Sequence, residues 1–133
     1  MYRVTFVSDL FGSRRDPAES IEVLQVLLDT LTSIDLLYLA RHRVPHLYTA
    51  GVRYERETGG RENWQDIATT LRLRRGDCED LGCWRAAELQ HAGIKARAFP
   101  RAKRRDDGST LYHILVRHPD GRIEDPSRQL GMR

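Results

Sequence analysis

The strongest hydrophobic periodicity in the chain lies between residues 16 and 45. Ile21, Leu24, Leu27 or Leu28, Leu31, Ile34 and Tyr38 recur at helical spacing, which predicts a long helix burying one stripe and ending before Pro45. Asp16 stands as its N-cap, Pro17 at its first helical position and Glu19 where a capping box needs an acid; a break is expected near Ser33. Before it, "YRVTFVS" (residues 2–8) alternates and is β-branched, as a strand would be. Residues 46–57 read as extended and "TGGRE" (58–62) as a loop. Trp64, Ile67, Ala68 and Leu71 then have the spacing of a short second helix. A third helix runs from Cys78 to Ala92, with Gly93 as its left-handed stop. "IKARAF" (94–99) and "LYHILVR" (111–117) read as strands, and "HPDG" turns the second into "RIEDPS". Helices followed by a small antiparallel sheet make an α+β fold, expected as a single domain over residues 1–133.

Composition narrows the picture only a little. Hydrophobic residues are 40% and charged residues 31%, too apolar for a disordered chain. The net charge of +3 is almost wholly arginine, since Lys95 and Lys103 are the only lysines. The one basic cluster, "RAKRR" at 101–105, runs straight into Asp106 and Asp107 and reads as a solvated loop, so nucleic acid is not the expected partner. "YRVTFVSDLF" after Met1 lacks the apolar core of a secretory signal, and no uninterrupted apolar run reaches membrane-spanning length. The expected location is the cytosol, or a particle assembled there, with no membrane partner.

Candidate chemistry centres on "RGDCEDLGCW" (75–84). Cys78 and Cys83 are five residues apart, about 140° round a helix axis, so they point different ways and do not bridge each other. Cys83, beside Trp84 in mid-helix, reads as core. Cys78 stands at the helix start, where unpaired N–H groups favour a thiolate and offer an oxyanion donor. Gly76 admits a tight entry and Asp77 is a good N-cap. Three carboxylates around the thiol oppose its ionisation, so a cationic partner is required. A plain buried cysteine is the competing reading.

Of five histidines, His42, His46 and His91 have surface explanations at helix ends, and His118 reads as a solvated turn residue. His113 lies inside the most strand-like run. "HPDGR" suits a type I turn with Pro119 at its first corner and Gly121 left-handed, which pairs His118 with Arg122 and hence Leu115 with Asp125. His113, Leu115 and Asp125 then share one face of the sheet while Glu124 faces away. His113 and Asp125 become diagonal neighbours about 7–8 Å apart along the backbone, a gap their side chains can close. A one-residue slip would reverse that assignment.

The order Cys78, His113, Asp125, within "RGDCEDLGCWRAAELQHAGIKARAF" and "YHILVRHPDGRIEDPS", resembles the transglutaminase-like cysteine enzymes with their papain-like core; the likeness covers residues 62–128. It implies a cysteine-nucleophile enzyme acting on amide bonds of a protein or peptide (peptidase, deamidase or transglutaminase), with Cys78 as nucleophile, His113 as proton shuttle and Asp125 as its orienting acid. No cofactor is required by it. "GDCED" is similar to the bacterial transglutaminase-like cysteine proteinases, in which acids around the nucleophile bind calcium; Asp77, Glu79 and Asp80 would be those ligands. "LYTAGVRYERE" with "EDPSRQLGM" resembles small proteins encoded in tailed-phage genomes near virion genes, which implies virion association. A second oxyanion donor is expected from Tyr54, Trp64 or Gln65. The rival readings are a non-catalytic transglutaminase-like interaction module or virion-associated structural protein, and a metal site from Cys78, Cys83 and a histidine, whose spacing fits no standard zinc pattern.

Overall fold

The structure, a computed structural model, describes residue 5 and residues 16–58 and 62–133. The strand expected at 2–8 lies outside the described residues. Helix α1 (Pro17–Arg41) starts as anticipated, with the Asp16 carboxylate accepting from Ala18 N. It is continuous through Ser33, whose hydroxyl donates to the Asp29 carbonyl within the helix. Its buried stripe is Leu24, Leu28, Leu31 and Asp35, while Ile21 and Ile34 are exposed. The stripe thus turns onto an acid at its last position because the Asp35 carboxylate accepts from Ile67 N, at the start of the next helix. By length and hydropathy α1 could cross a bilayer, yet those leucines lie in the core, and Val26 and Leu37 remain exposed.

Residues expected to be extended after α1 instead form a 3-10 turn (Leu47–Thr49), followed by strand β1 (Arg53–Tyr54). Helix α2 (Ile67–Leu73) is capped by Asp66, leaving Trp64 outside it. Arg74 then takes a left-handed conformation (φ 58°) that turns the chain into β2 (Arg75–Gly76). β2 pairs with β1 in parallel, a small ladder that sequence periodicity does not show because each strand has only two residues. Helix α3 (Cys78–His91) follows at once, and Gly93 (φ 85°) ends it as expected.

Strand β3 (Arg97–Arg104) reaches through the "RAKRR" segment, so most of that run is an exposed strand and not a loop. It pairs antiparallel with β4 (Thr110–Arg117), and β4 with β5 (Ile123–Glu124), in the order β3-β4-β5. A last short helix, α4 (Pro126–Gln129), is capped by Asp125. The fold is α+β: α1 and α3 pack on the face of the sheet that carries Ala98, Ile114 and Val116, with Leu24, Leu28, Leu31, Cys83, Ala86 and Leu89 between them. Trp84 and Leu81, on the other flank of α3, build a second cluster with Leu47, Val52 and Ile67.

Gly82 sets how closely α3 meets the sheet. A Cβ built there would lie 2.8 Å from Ile114 Cγ2, so only glycine allows this approach. Cys78, one helical turn earlier, is thereby held at the level of β4.

Candidate active site

The hairpin turn has the expected form. Gly121 is left-handed (φ 90°), Gly121 N donates to His118 O, and His118 N donates to Arg122 O. Val116 pairs with Glu124 and Arg117 with Ile123, the register that places Leu115 opposite Asp125. His113 Nε2 lies 2.9 Å from Asp125 Oδ2, both side chains about three-quarters buried. Two constraints hold the carboxylate: its Oδ1 accepts from Arg128 N as the α4 N-cap, and Arg128 Nε stands 3.6 Å from Oδ2. With Nε2 engaged, Nδ1 is the ring nitrogen free of hydrogen bonds among the described residues.

β5 stops after Glu124 because Pro126 has no N–H with which to extend the ladder. Hydrogen-bonding directions alternate along β4, so Ile114, like Val116 and His118, points its backbone polar groups to that side, where the partner strand has ended. Cys78 fills the gap. The Ile114 N–H lies against its sulfur and favours the thiolate. The thiol therefore rests beside the residue next to His113.

The structure does not close a Cys78–His113 hydrogen bond. The sulfur instead donates to Glu79 Oε2 at 3.2 Å. Burial, followed by the charges of Glu79 and Asp77, raises the Cys78 thiol far above its ordinary range. Glu79 is itself pushed up, by burial and then by Asp80 and Asp77, and its buried Oε1 has no hydrogen-bond partner among the described residues. The site is thus set for a neutral thiol.

Asp77 behaves as the expected N-cap, accepting from Cys78 N at 2.7 Å and Glu57 N at 3.1 Å. Asp80 returns a bond from Asp77 N to complete a capping box, and also takes Gln65 N and Gln65 Nε2. Burial raises Asp80 to about 7 despite those donors. Ligating atoms of Asp77, Cys78 and Glu79 all lie within 4.8 Å of one another, whereas Asp80 is turned to Gln65. Calcium takes six to eight oxygen ligands. A thiol, a Glu79 carboxyl and an Asp77 carboxylate already accepting two amides do not suit it.

Gln65 is occupied by Asp80 and Arg75 O, which removes it as an oxyanion donor. Trp64, like Cys78 and Tyr112, packs against the core between α1, α3 and the sheet, and its Nε1 donates to Glu62. Tyr54 stands beside Gly76 in the parallel ladder; burial, then the charges of Asp77 and Cys78, push its phenol up to about 12. A neutral phenol near the sulfur can donate.

Cys83 is core as expected, fully buried with its thiol on Leu28 O at 3.4 Å. His118 is not solvated. It is 5% exposed, bound through Nε2 to Glu124 and contacted at Nδ1 by Arg122. Glu124 faces away from His113 as the register required, and also receives Tyr48 Oη and Arg85. Burial works to raise Glu124, but the bonds from Arg85, His118 and Tyr48 outweigh it and hold the acid down at about 2. Sequence periodicity gave no sign of this network, since its members come from four separate segments. A depression of about 560 Å³ near Asp29, Gln90 and Lys95 includes none of the candidate catalytic residues.

No protein-family model, curated protein or solved structure matches the chain.

Proposed function

We propose that this protein is a cysteine-nucleophile acyl-transfer enzyme of transglutaminase-like type, acting on amide bonds of a protein or peptide. The observation that carries the reading is the His113–Asp125 pair, which leaves Nδ1 free on the strand whose open edge receives the Cys78 sulfur. In the resting state Glu79 holds the thiol. In the reaction the sulfur leaves Glu79 and meets His113 at the open edge of β4, where Nδ1 accepts its proton. Asp125 fixes the tautomer and supports the imidazolium. The thiolate attacks the substrate carbonyl while the Tyr54 hydroxyl faces the developing oxyanion; the Cys78 amide is already taken by the Asp77 cap. His113 returns the proton to the leaving amine, and water or a second amine releases the acyl group. Peptidase, deamidase and cross-linking activities share this acyl-enzyme.

A second reading is favoured by one observation: the thiol is buried against a carboxyl and its ionisation is strongly opposed, as in a fold kept for binding, including in a virion-associated role. Labelling with peptide and glutamine electrophiles separates the two. Label on wild type that is lost in Cys78→Ala and in His113→Ala supports catalysis. Label that persists in Cys78→Ala refutes the assignment, and a Cys78 that reacts no faster than Cys83 favours the binding module.

A further inference from the structure

The β3–β4 register places unpaired cations beside the candidate general base. Arg101 is opposite His113, Lys103 is opposite Leu111, and faces alternate along each strand. Arg101 and Lys103 therefore project on the side that carries His113, Arg101 with its Cβ about 5 Å from that of His113. Both are exposed, and neither side chain takes part in an ion pair or hydrogen bond among the described residues. Two other arginines are engaged, Arg97 holding Asp29 at 2.6 Å and Arg85 holding Glu124 at 2.9 Å. Of the two acids that follow, Asp107 accepts from Ser109 N and Oγ within its own turn, while Asp106 shares a surface depression with Lys103, Arg104 and Arg105, where the cations outnumber it. Further along the same side, Arg117 lies over the Phe99 ring at 4.2 Å and extends the positive field.

We propose that this side of the hairpin selects an acidic polypeptide segment, with Arg101 and Lys103 receiving Asp or Glu side chains that flank the amide presented to Cys78 and His113. The inference deepens the acyl-transfer reading and rests on it for the path of the substrate. Charge complementarity commits the face to a polyanion, and its continuity with His113 commits the polyanion to a peptide.

The test uses the full chain and two readouts. In the first, fluorescence anisotropy follows a labelled glutamate-rich peptide binding to wild type, Arg101→Glu and Arg72→Glu, the last a charge reversal of equal size on α2. In the second, mass spectrometry follows labelling of Cys78 by chloromethyl ketone peptides flanked by glutamate or by lysine. Binding weakened about tenfold by Arg101→Glu but not by Arg72→Glu, with glutamate-flanked label faster than lysine-flanked and the preference fading as salt is raised, is the expected result. Equal labelling whatever the flanking charge, with no binding of the acidic peptide, overturns the proposal and leaves the acyl-transfer reading standing. Arg101-dependent binding with no peptide electrophile reaching Cys78 keeps the acidic-segment face and removes the catalysis beneath it. Displacement of the acidic peptide by a single-stranded oligonucleotide at much lower concentration assigns the face to nucleic acid and overturns the proposal.

Discussion

The two ends of α3 each bury acids, and they treat them in opposite ways. Toward its C-terminal half, Glu124 meets Arg85, His118 and Tyr48, with Glu88 bridging Arg85 to Leu47 N; both acids share the Arg85 cation and their hydrogen bonds are made. At its first turn, Asp77, Glu79 and Asp80 gather around Cys78, with Asp35 behind them; their hydrogen-bond donors are amides and a thiol, and Glu79 Oε1 and Asp35 Oδ2 have none among the described residues. A compensated buried acid fixes a fold. An uncompensated one raises the free energy of the state that holds it, and here it does so against the sulfur that the proposed chemistry must ionise.

The largest expected effect comes from breaking the compensated end. Arg85→Ala leaves Glu124 and Glu88 buried without their cation and should cost about 3 kcal/mol or more, read by urea unfolding. Gly82→Ala pushes α3 off β4 and should cost about 1–3 kcal/mol by overpacking against Ile114. Because Cys78 stands on the same helix, its alkylation rate should also change in that variant, whereas Arg85→Ala should leave the rate near wild type as long as the protein is folded.

The uncompensated end makes finer predictions. Glu79→Gln removes the nearest carboxyl from the sulfur, so the pH profile of Cys78 alkylation should move to lower pH by about one unit, a tenfold gain in rate below the midpoint. Asp35 sharpens the contrast through pH. Burial raises its pKa from 3.8 to about 8, so the folded state holds the proton more tightly than the unfolded chain does. That contribution is complete below the unfolded value and is lost as pH rises through the folded one. Thermal stability should therefore decline from pH 5 to pH 8, and Asp35→Asn should flatten the decline, with a gain of about 1 kcal/mol at pH 8.5. Glu124 runs the other way: its lowered pKa gives stability that is present at neutral pH and lost on acidification from about 4.5 toward 2.

How much of this was legible in the sequence depended on whether the chemistry was local. "HPDGR" specified its turn, and the turn specified the register that joins His113 to Asp125 across 12 residues of chain. The starts of α1 and α3 were legible from Asp16, Pro17 and Asp77 for the same reason. Asp35 was not, because its partner Ile67 is 32 residues away and helical periodicity favours Ile34 at that place. His118 was misread as solvated since its partners Glu124 and Arg122 meet it only once the hairpin is closed. Arginine and lysine made 101–105 look like a loop, although a strand exposed to water accepts such residues freely. Glu79 beside a cysteine gave no hint that it would be buried.

Pro126 gives this site an unusual kind of dependence. It cuts the third strand short, and that truncation is what leaves a backbone donor of the middle strand available to sulfur. A substitution that restored an amide at this position, and let the ladder grow by another rung, would seal the opening from the sheet side. Reactivity would then be forfeited without any loss of the sulfur, the imidazole or the acid.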